Sequence, residues 1–413
     1  MGGRHAAPTH GGGQGHSHGH SHGHGHRHSH GHGHGPAAEV DVRRGARATL
    51  LGALALAGVV ALVGLVLLWP DRSAAADLRE EVAFQGPGVL LVDATLRSLE
   101  EGRASVSIEE GPDEGARRTV DLPPEVAASG LEPGDTLRLQ SPPPADGTDR
   151  TYVYFGTDRD ATMWVLAGLF VLVVLLVARW RGLLALLGLG FAGLVLLGFM
   201  LPALLTGEPG LAVGLVGSTL IMVVVLYTTH GFSIRTSAAL AGTLAGLVLT
   251  AVLGLVSTRT SRLTGFGDEA AGLLTTYIPA LDLQDVFTCA LVVAGLGVLN
   301  DVTITQSSAV WELRGAAPGL TRRRLFLSGM RIGRDHIAST IYTIVFAYAG
   351  TALVLLMVLS LYGLPLGDLL ATEEIGQEAV RTLVSSIGLV LAVPITTAIA
   401  VWTVPGPVPA SSR

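Results

Sequence analysis

The sequence predicts a polytopic α-helical membrane protein of about eight transmembrane helices, with a small β-rich extracytoplasmic domain of the OB-like barrel type. Three observations predict it. Hydrophobic residues fill 49% of the 413 positions and charged residues only 15%, and the apolar residues come in blocks about 20 long, the length that crosses a hydrocarbon core as helix. Residues 77–157 break that habit with short alternating runs separated by turn residues, the signature of strands. The arginines gather on alternate connections between the apolar blocks, as a fixed membrane orientation requires.

Composition also excludes. All 27 basic residues are Arg, so a phosphate-binding loop with its lysine and a Lys Schiff base are both absent. The single cysteine, Cys289, permits neither an internal disulfide nor a cysteine-rich zinc site.

In chain order, residues 1–47 read as a disordered, His-rich cytoplasmic tail. Histidine occupies every second position at His16, His18, His20, His22, His24, His26, His28, His30, His32 and His34, with Gly, Ser or Arg between. With nothing apolar to bury, such a segment does not fold. Neutral imidazoles ligate zinc, nickel, cobalt or copper, so the tail is either a multivalent divalent-metal buffer or a compositional repeat. No other cofactor is expected.

Residues 48–69 are an uncharged apolar run after Arg43, Arg44 and Arg47. The run exceeds a signal-peptide core, which favours an anchor helix over a cleaved signal ending at Ser73-Ala74-Ala75-Ala76. Residues 77–157 carry strand patterns at Val89–Leu96, Ala104–Ile108, Arg118–Leu122, Thr136–Leu139 and Tyr152–Phe155. Turn signals separate them at Glu101-Gly102, Gly111-Pro112, Pro133-Gly134-Asp135 and Asp146-Gly147. Five short strands suit a small barrel. Its acidic character argues against a nucleic-acid face, leaving a structural cap or a ligand-binding module.

Residues 160–405 read as a seven-helix transmembrane domain with spans at 162–178, 183–204, 210–228, 236–256, 285–309, 337–360 and 383–403, and residues 406–413 as a cytoplasmic tail. With the N-terminus inside, the inner connections hold Arg179, Arg181, Arg235, Arg314, Arg322, Arg323, Arg324, Arg331 and Arg334. The outer ones hold Arg259, Arg262 and Arg381, with Glu373, Glu374 and Glu378 in the last. Both chain ends then lie in the cytoplasm.

The chemistry concentrates between Gly295 and Tyr342. Ala290, Ala294, Gly297, Asp301, Thr305, Ser308 and Glu312 recur at helical spacing on one face, small toward the outside and polar toward the inside. The next span offers His336, Thr340, Thr343, Ala347 and Gly350 by the same rule, and the two polar faces could meet. A carboxylate within a span is costly and faces a cavity or a partner. The transport-path candidates are therefore Asp301, Asn300, Thr305, Ser308, Asp335, Arg334, His336 and Thr340. Asp335 alternatively caps a helix start, and Arg334 is alternatively a topology anchor. Tyr277, Asp282 and Asp285 mark the outer mouth, with a surface turn or a short re-entrant segment at 268–280. Gly265-Phe266-Gly267-Asp268 matches the Gly-x-Gly-Asp of intramembrane aspartyl proteases, but it lies in a polar loop and the chain has no Tyr-Asp partner. Zincin and α/β-hydrolase signatures are also absent, so no enzyme is expected.

Several stretches stand out together: Tyr152-Val153-Tyr154 with Asp158-Arg159, Asp301 followed by Ser307-Ser308 and Trp311-Glu312-Leu313, and Ser328-Gly329-Met330-Arg331-Ile332-Gly333-Arg334-Asp335. Phe346-Ala347-Tyr348, Glu373-Glu374-Ile375 and Gly388-Leu389-Val390-Leu391-Ala392-Val393-Pro394 complete the set. Through them the chain resembles the YibE/F-like membrane proteins of Gram-positive bacteria, over roughly residues 80–405. The resemblance implies a multi-pass bacterial plasma-membrane protein with an extracytoplasmic segment. The chain departs from it in the His-rich head and in His336, where an aliphatic residue is usual. Two readings follow: a permease for a small solute or ion, or a non-transporting scaffold or sensor whose outer domain binds a ligand or partner protein. The partners expected are the lipid bilayer and a small solute, and no nucleic acid.

Overall fold

The computed structural model describes residues 44–81, 88–144, 149–267 and 269–407. The His-rich segment and its ten candidate metal ligands lie outside the described residues. The elements run α1 (Arg44–Leu67), α2 (Arg72–Glu81), β1 (Leu90–Glu100), β2 (Arg103–Ile108), β3 (Arg117–Asp121), α3 (Pro124–Ala127), β4 (Thr136–Ser141), β5 (Val153–Thr157), α4 (Asp160–Val195), a π-helical turn (Leu196–Met200), α5 (Leu201–Leu205), α6 (Gly210–His230), α7 (Ile234–Thr260), α8 (Glu269–Tyr277), α9 (Leu283–Ala316), α10 (Arg322–Thr351), α11 (Leu353–Tyr362), α12 (Leu366–Leu370) and α13 (Glu373–Thr403).

The five strands form one antiparallel sheet in the order β3-β2-β1-β4-β5. Alternation decides its buried face: Val92, Ala94 and Leu96 of β1, Ala104, Val106 and Ile108 of β2, and Leu137 and Leu139 of β4 are fully covered. Glu101 (φ 47°) and Gly102 (φ 81°) make the two-residue turn between β1 and β2; positive φ at both positions matches the twist of the flanking strands. The expected barrel is not closed, because no hydrogen-bonded ladder joins β3 to β5 among the described residues. Side chains bridge that gap instead. Asp113 accepts from Arg118 Nη2 of β3 at 2.9 Å and from the Tyr152 hydroxyl beside β5 at 3.1 Å.

Among the described residues, six helices are long and apolar enough to cross a membrane, and a seventh arises if α10 and α11, bent by 68° at Ala352, count as one. The longest run, Asp160–Leu205, has 46 residues. Straight, it would extend about 69 Å, over twice a hydrocarbon core. It breaks at Arg179 (φ 52°), and Gly182 then packs so closely on Val174 that a Cβ there would sit 2.6 Å from the Val174 carbonyl oxygen. The chain turns back at Arg179, between the two spans expected at 162–178 and 183–204.

Two expected span starts move. The span expected at 337–360 belongs to a helix that begins at Arg322, where the Thr321 hydroxyl accepts from Arg324 N at 3.4 Å. Asp335 therefore lies mid-helix and caps nothing. The span expected at 383–403 begins at Glu373, in what hydropathy reads as a loop. Arg is a good helix former, and acidic residues suit a helix N-terminus, so both charged stretches continue their helices beyond the apolar blocks.

The bundle centre is where α7, α9 and α13 cross. Small residues permit the approach, since packing rather than hydrophobicity drives helices together in lipid. A side chain at Gly242 would collide with Thr396 and one at Gly388 with Thr250.

Two outcomes follow. Gly388→Leu is expected to cost about 1–3 kcal/mol through overpacking, read as a lower melting temperature of the detergent-solubilised protein, whereas Gly297→Leu, with open space around its Cβ, is not. The Arg118 guanidinium holds the Asp113 carboxyl below its ordinary value of 3.8. A depressed carboxyl contributes stability above its unfolded pKa, and that contribution is lost as pH falls through the folded value. Protection of the β3 and β5 amides, taken relative to intrinsic exchange at each pH, is therefore expected to fall below about pH 4, and Asp113→Asn to flatten that dependence.

Candidate functional site

Helix α9 packs against α6, α7, α10 and α13, and its residues divide sharply between two faces. On the inner face Leu291, Val292, Leu299, Val302 and Val310 are buried together with Thr303, Gln306 and Ser307. Each of these polar residues makes a side-chain hydrogen bond, although Gln306 Oε1 is buried without a partner among the described residues. Thr303 and Thr243 share a bond at 2.6 Å. Gln306 Nε2 donates to Gly329 O (2.9 Å) and to Thr397 Oγ1 (2.7 Å), and Ser307 Oγ donates to Arg235 O (2.8 Å). Gln306 is 1% exposed. It ties α9 to α10 and α13, and a side chain at Gly333 would meet it within 3.0 Å.

The opposite face is the one singled out by its spacing, and it is uncovered. Gly297 and Asp301 are exposed; Ala290, Ala294, Thr305 and Ser308 are half-buried. Asn300, beside it, is half-buried with a buried, unpartnered Oδ1. On α10, Arg334, Asp335 and His336 are exposed and Thr340 is half-buried. Among the described residues, the side chains of Asp301, Arg334, Asp335 and His336 make no hydrogen bond or ion pair. Thr305 and Thr340 bond only the backbone oxygens of Asp301 (2.7 Å) and His336 (2.8 Å). The two polar faces do not meet. The helices touch through Val298 and Val302 against Met330, Ile337 and Ile344.

At the other end of α9, Asp282 caps the helix by accepting from Gln284 N (2.9 Å) and Asp285 N (3.2 Å). Asp285 Oδ2 accepts from Gly210 N at 3.0 Å, holding the start of α6. Tyr277, at the end of α8, is exposed.

Beside Asp285 the uncovered face becomes the floor of a chamber of about 370 Å³. Ala290, Val293 and Ala294 of α9 form the floor, Met200 and Leu204 one wall, and Tyr348 of α10 with Arg381 of α13 the other. A second, polar space of about 400 Å³ lies across that wall. Glu374, Gln377, Glu378 and Thr351 line it, and it shares Tyr348 and Arg381 with the first. Arg381 Nη1 donates to Glu378 Oε1 at 2.6 Å, and both side chains are 26% exposed. The guanidinium also lies over the Phe287 ring, 5.5 Å from its centre, a contact that favours a cation.

The Gly265–Gly267 turn closes the polar space. Glu373 Oε1 accepts from Thr264 N (2.7 Å), Gly265 N (3.1 Å) and Gln377 Nε2 (3.0 Å). Backbone N–H groups at the start of the Gly-x-Gly stretch thus hold a glutamate.

Sequence reasoning missed Tyr348, Gln377, Glu378 and Arg381 as site residues. The signal was present, because Glu374, Glu378 and Arg381 recur at helical spacing, but on a stretch read as an outer loop. Among the described residues no cluster of His, Cys, Asp and Glu could hold a metal ion.

A family model described as YibE/F-like protein matches residues 166–406, more than half of the chain. The match takes in every helix from α6 to α13 and begins beyond the sheet, so Tyr152-Val153-Tyr154 and Asp158-Arg159 lie outside it. No curated protein and no solved structure matches the chain.

Gln306→Ala is expected to cost about 2–4 kcal/mol, combining two lost buried bonds with a new cavity. Gln306→Met, which keeps the volume, is expected to cost less, both read as melting temperatures in detergent.

Proposed function

The chain belongs to the YibE/F-like family, and from that premise we propose that it is a multi-pass permease of the bacterial plasma membrane that moves a small solute or ion. One observation carries this reading: the small-and-polar face of α9 is uncovered, and its small half floors a cavity. A scaffold has no use for an unpaired carboxylate on a spanning helix, because such a group costs about 2.5–3.5 kcal/mol on insertion scales. A carrier uses one to bind a coupling ion or to face a watery path.

In this reading the polar space over Glu374 and Gln377 is the outer vestibule and the chamber over Ala290 and Ala294 receives the solute. The face continuing through Gly297, Asp301, Thr305 and Ser308 leads inward, with Asp301 as the site of a coupling proton or cation. Both chain ends lie in the cytoplasm and the sheet outside, as the arginine distribution argues. No chemical step is assigned to the protein.

The test is flux in proteoliposomes for a panel of ions and small solutes. Wild type is expected to carry at least one of them, and Asp301→Asn to lower that flux at least tenfold. Equal flux in the two proteins would remove Asp301 from the mechanism, and no flux above empty liposomes for any solute would return the protein to the scaffold reading.

A further inference from the structure

We infer that the chamber beside α9 binds a monocarboxylate with a single apolar tail, the carboxylate on Arg381 and the tail over Ala290 and Ala294. This names the substrate class of the permease reading and rests on it.

Chemistry selects the class. The chamber lining is apolar or small except for Tyr348 and Arg381. A cation entering it would meet a guanidinium and no carboxylate. A small inorganic ion would give up its water for walls that supply no oxygen ligands beyond one phenol, an uncompensated loss. A tail bearing one negative head fits both parts. The aliphatic floor takes the tail, and a planar guanidinium matches a carboxylate through paired N–H···O bonds.

Arg381 is held in readiness for such a head. Only its Nη1 is engaged, by Glu378 Oε1 at 2.6 Å, while its Nε is buried without a partner, as is Glu378 Oε2. An arriving carboxylate supplies the acceptors that the guanidinium lacks and competes with Glu378 for the rest. Glu378 and Glu374 nearby disfavour a dianion, so a phosphate monoester is disfavoured by charge. Because Arg381 and Tyr348 also line the outer polar space, a molecule passing between the two spaces passes the guanidinium.

The test is equilibrium binding of radiolabelled decanoate to the full chain in nanodiscs, with methyl decanoate and decyl phosphate as competitors. Saturable binding of one decanoate per chain is expected. Each methylene removed from the tail should weaken it about fourfold. The methyl ester and the phosphate monoester should compete at least tenfold more weakly than unlabelled decanoate. Arg381→Ala should weaken binding at least tenfold and Glu378→Gln should tighten it, since the competing carboxylate is gone. Ala294→Leu, which narrows the floor and leaves the ion pair in place, should weaken binding with an unchanged melting temperature; this keeps the test decisive if Arg381→Ala does not fold. Equal competition by acid and ester, binding unaffected by Ala294→Leu, or a two-chain phospholipid that occupies the chamber and is not displaced would overturn the inference. Decanoate binding of this pattern without decanoate flux in proteoliposomes would keep the site and remove the permease; flux of another solute without decanoate binding would do the reverse.

Discussion

A bilayer interior supplies no hydrogen bonds, so each polar group on a spanning helix needs a partner within the protein or a polar space beside it. The architecture follows from how α9 meets that demand. Thr303, Ser307 and the Nε2 of Gln306 find partners on α7, α10 and α13, and these bonds fix how the helices cross. Asp301, Thr305 and Ser308, about half a turn away, are left on the other side. One helix thereby fastens the bundle along one face and leaves a solute-sized space along the other.

The close crossings of α7, α9 and α13 make this division possible. Threonine and glycine face each other at Gly242 with Thr396 and at Gly388 with Thr250. Backbones brought this near bury short hydroxyls that would otherwise lie in lipid. Pro394, inside α13, removes one backbone donor in the same region, where Thr397 already returns a bond to Val393 O at 2.7 Å and accepts one from Gln306.

Much of this was legible in the residues. Hydropathy located the spans because transfer to lipid depends on local composition. Alternation located five strands to within a few residues because side chains of a strand take turns facing the core. The charged starts of α10 and α13 were not legible, since Arg322–Arg324 and Glu373–Glu374 are helical without being apolar, and a hydropathy reading ends a helix where its apolar run ends. The closure of the sheet was also beyond reach, because a β3–β5 ladder depends on contacts far apart in sequence. For α9 the periodicity identified a shared face correctly, but which neighbour covers it is a tertiary property. The polar faces of α9 and α10 could have met; aliphatic residues fill the contact between the helices instead. Arg381 and Glu378 went unrecognised because their helical spacing lies on a charged stretch that hydropathy reads as a loop.

The joint between the sheet and the bundle has a mechanical meaning. Strand β5 ends at Thr157 and α4 begins at Asp160. Asp158 secures both sides, its N–H bonded to Thr136 O on β4 at 2.9 Å and its carboxylate to Asp160 N at 2.8 Å. A connector so short and so fully engaged has no slack to absorb rotation. Whatever tilts α4 also swings the strands, and a load on the strands applies torque to α4, so the two behave as the arms of one lever.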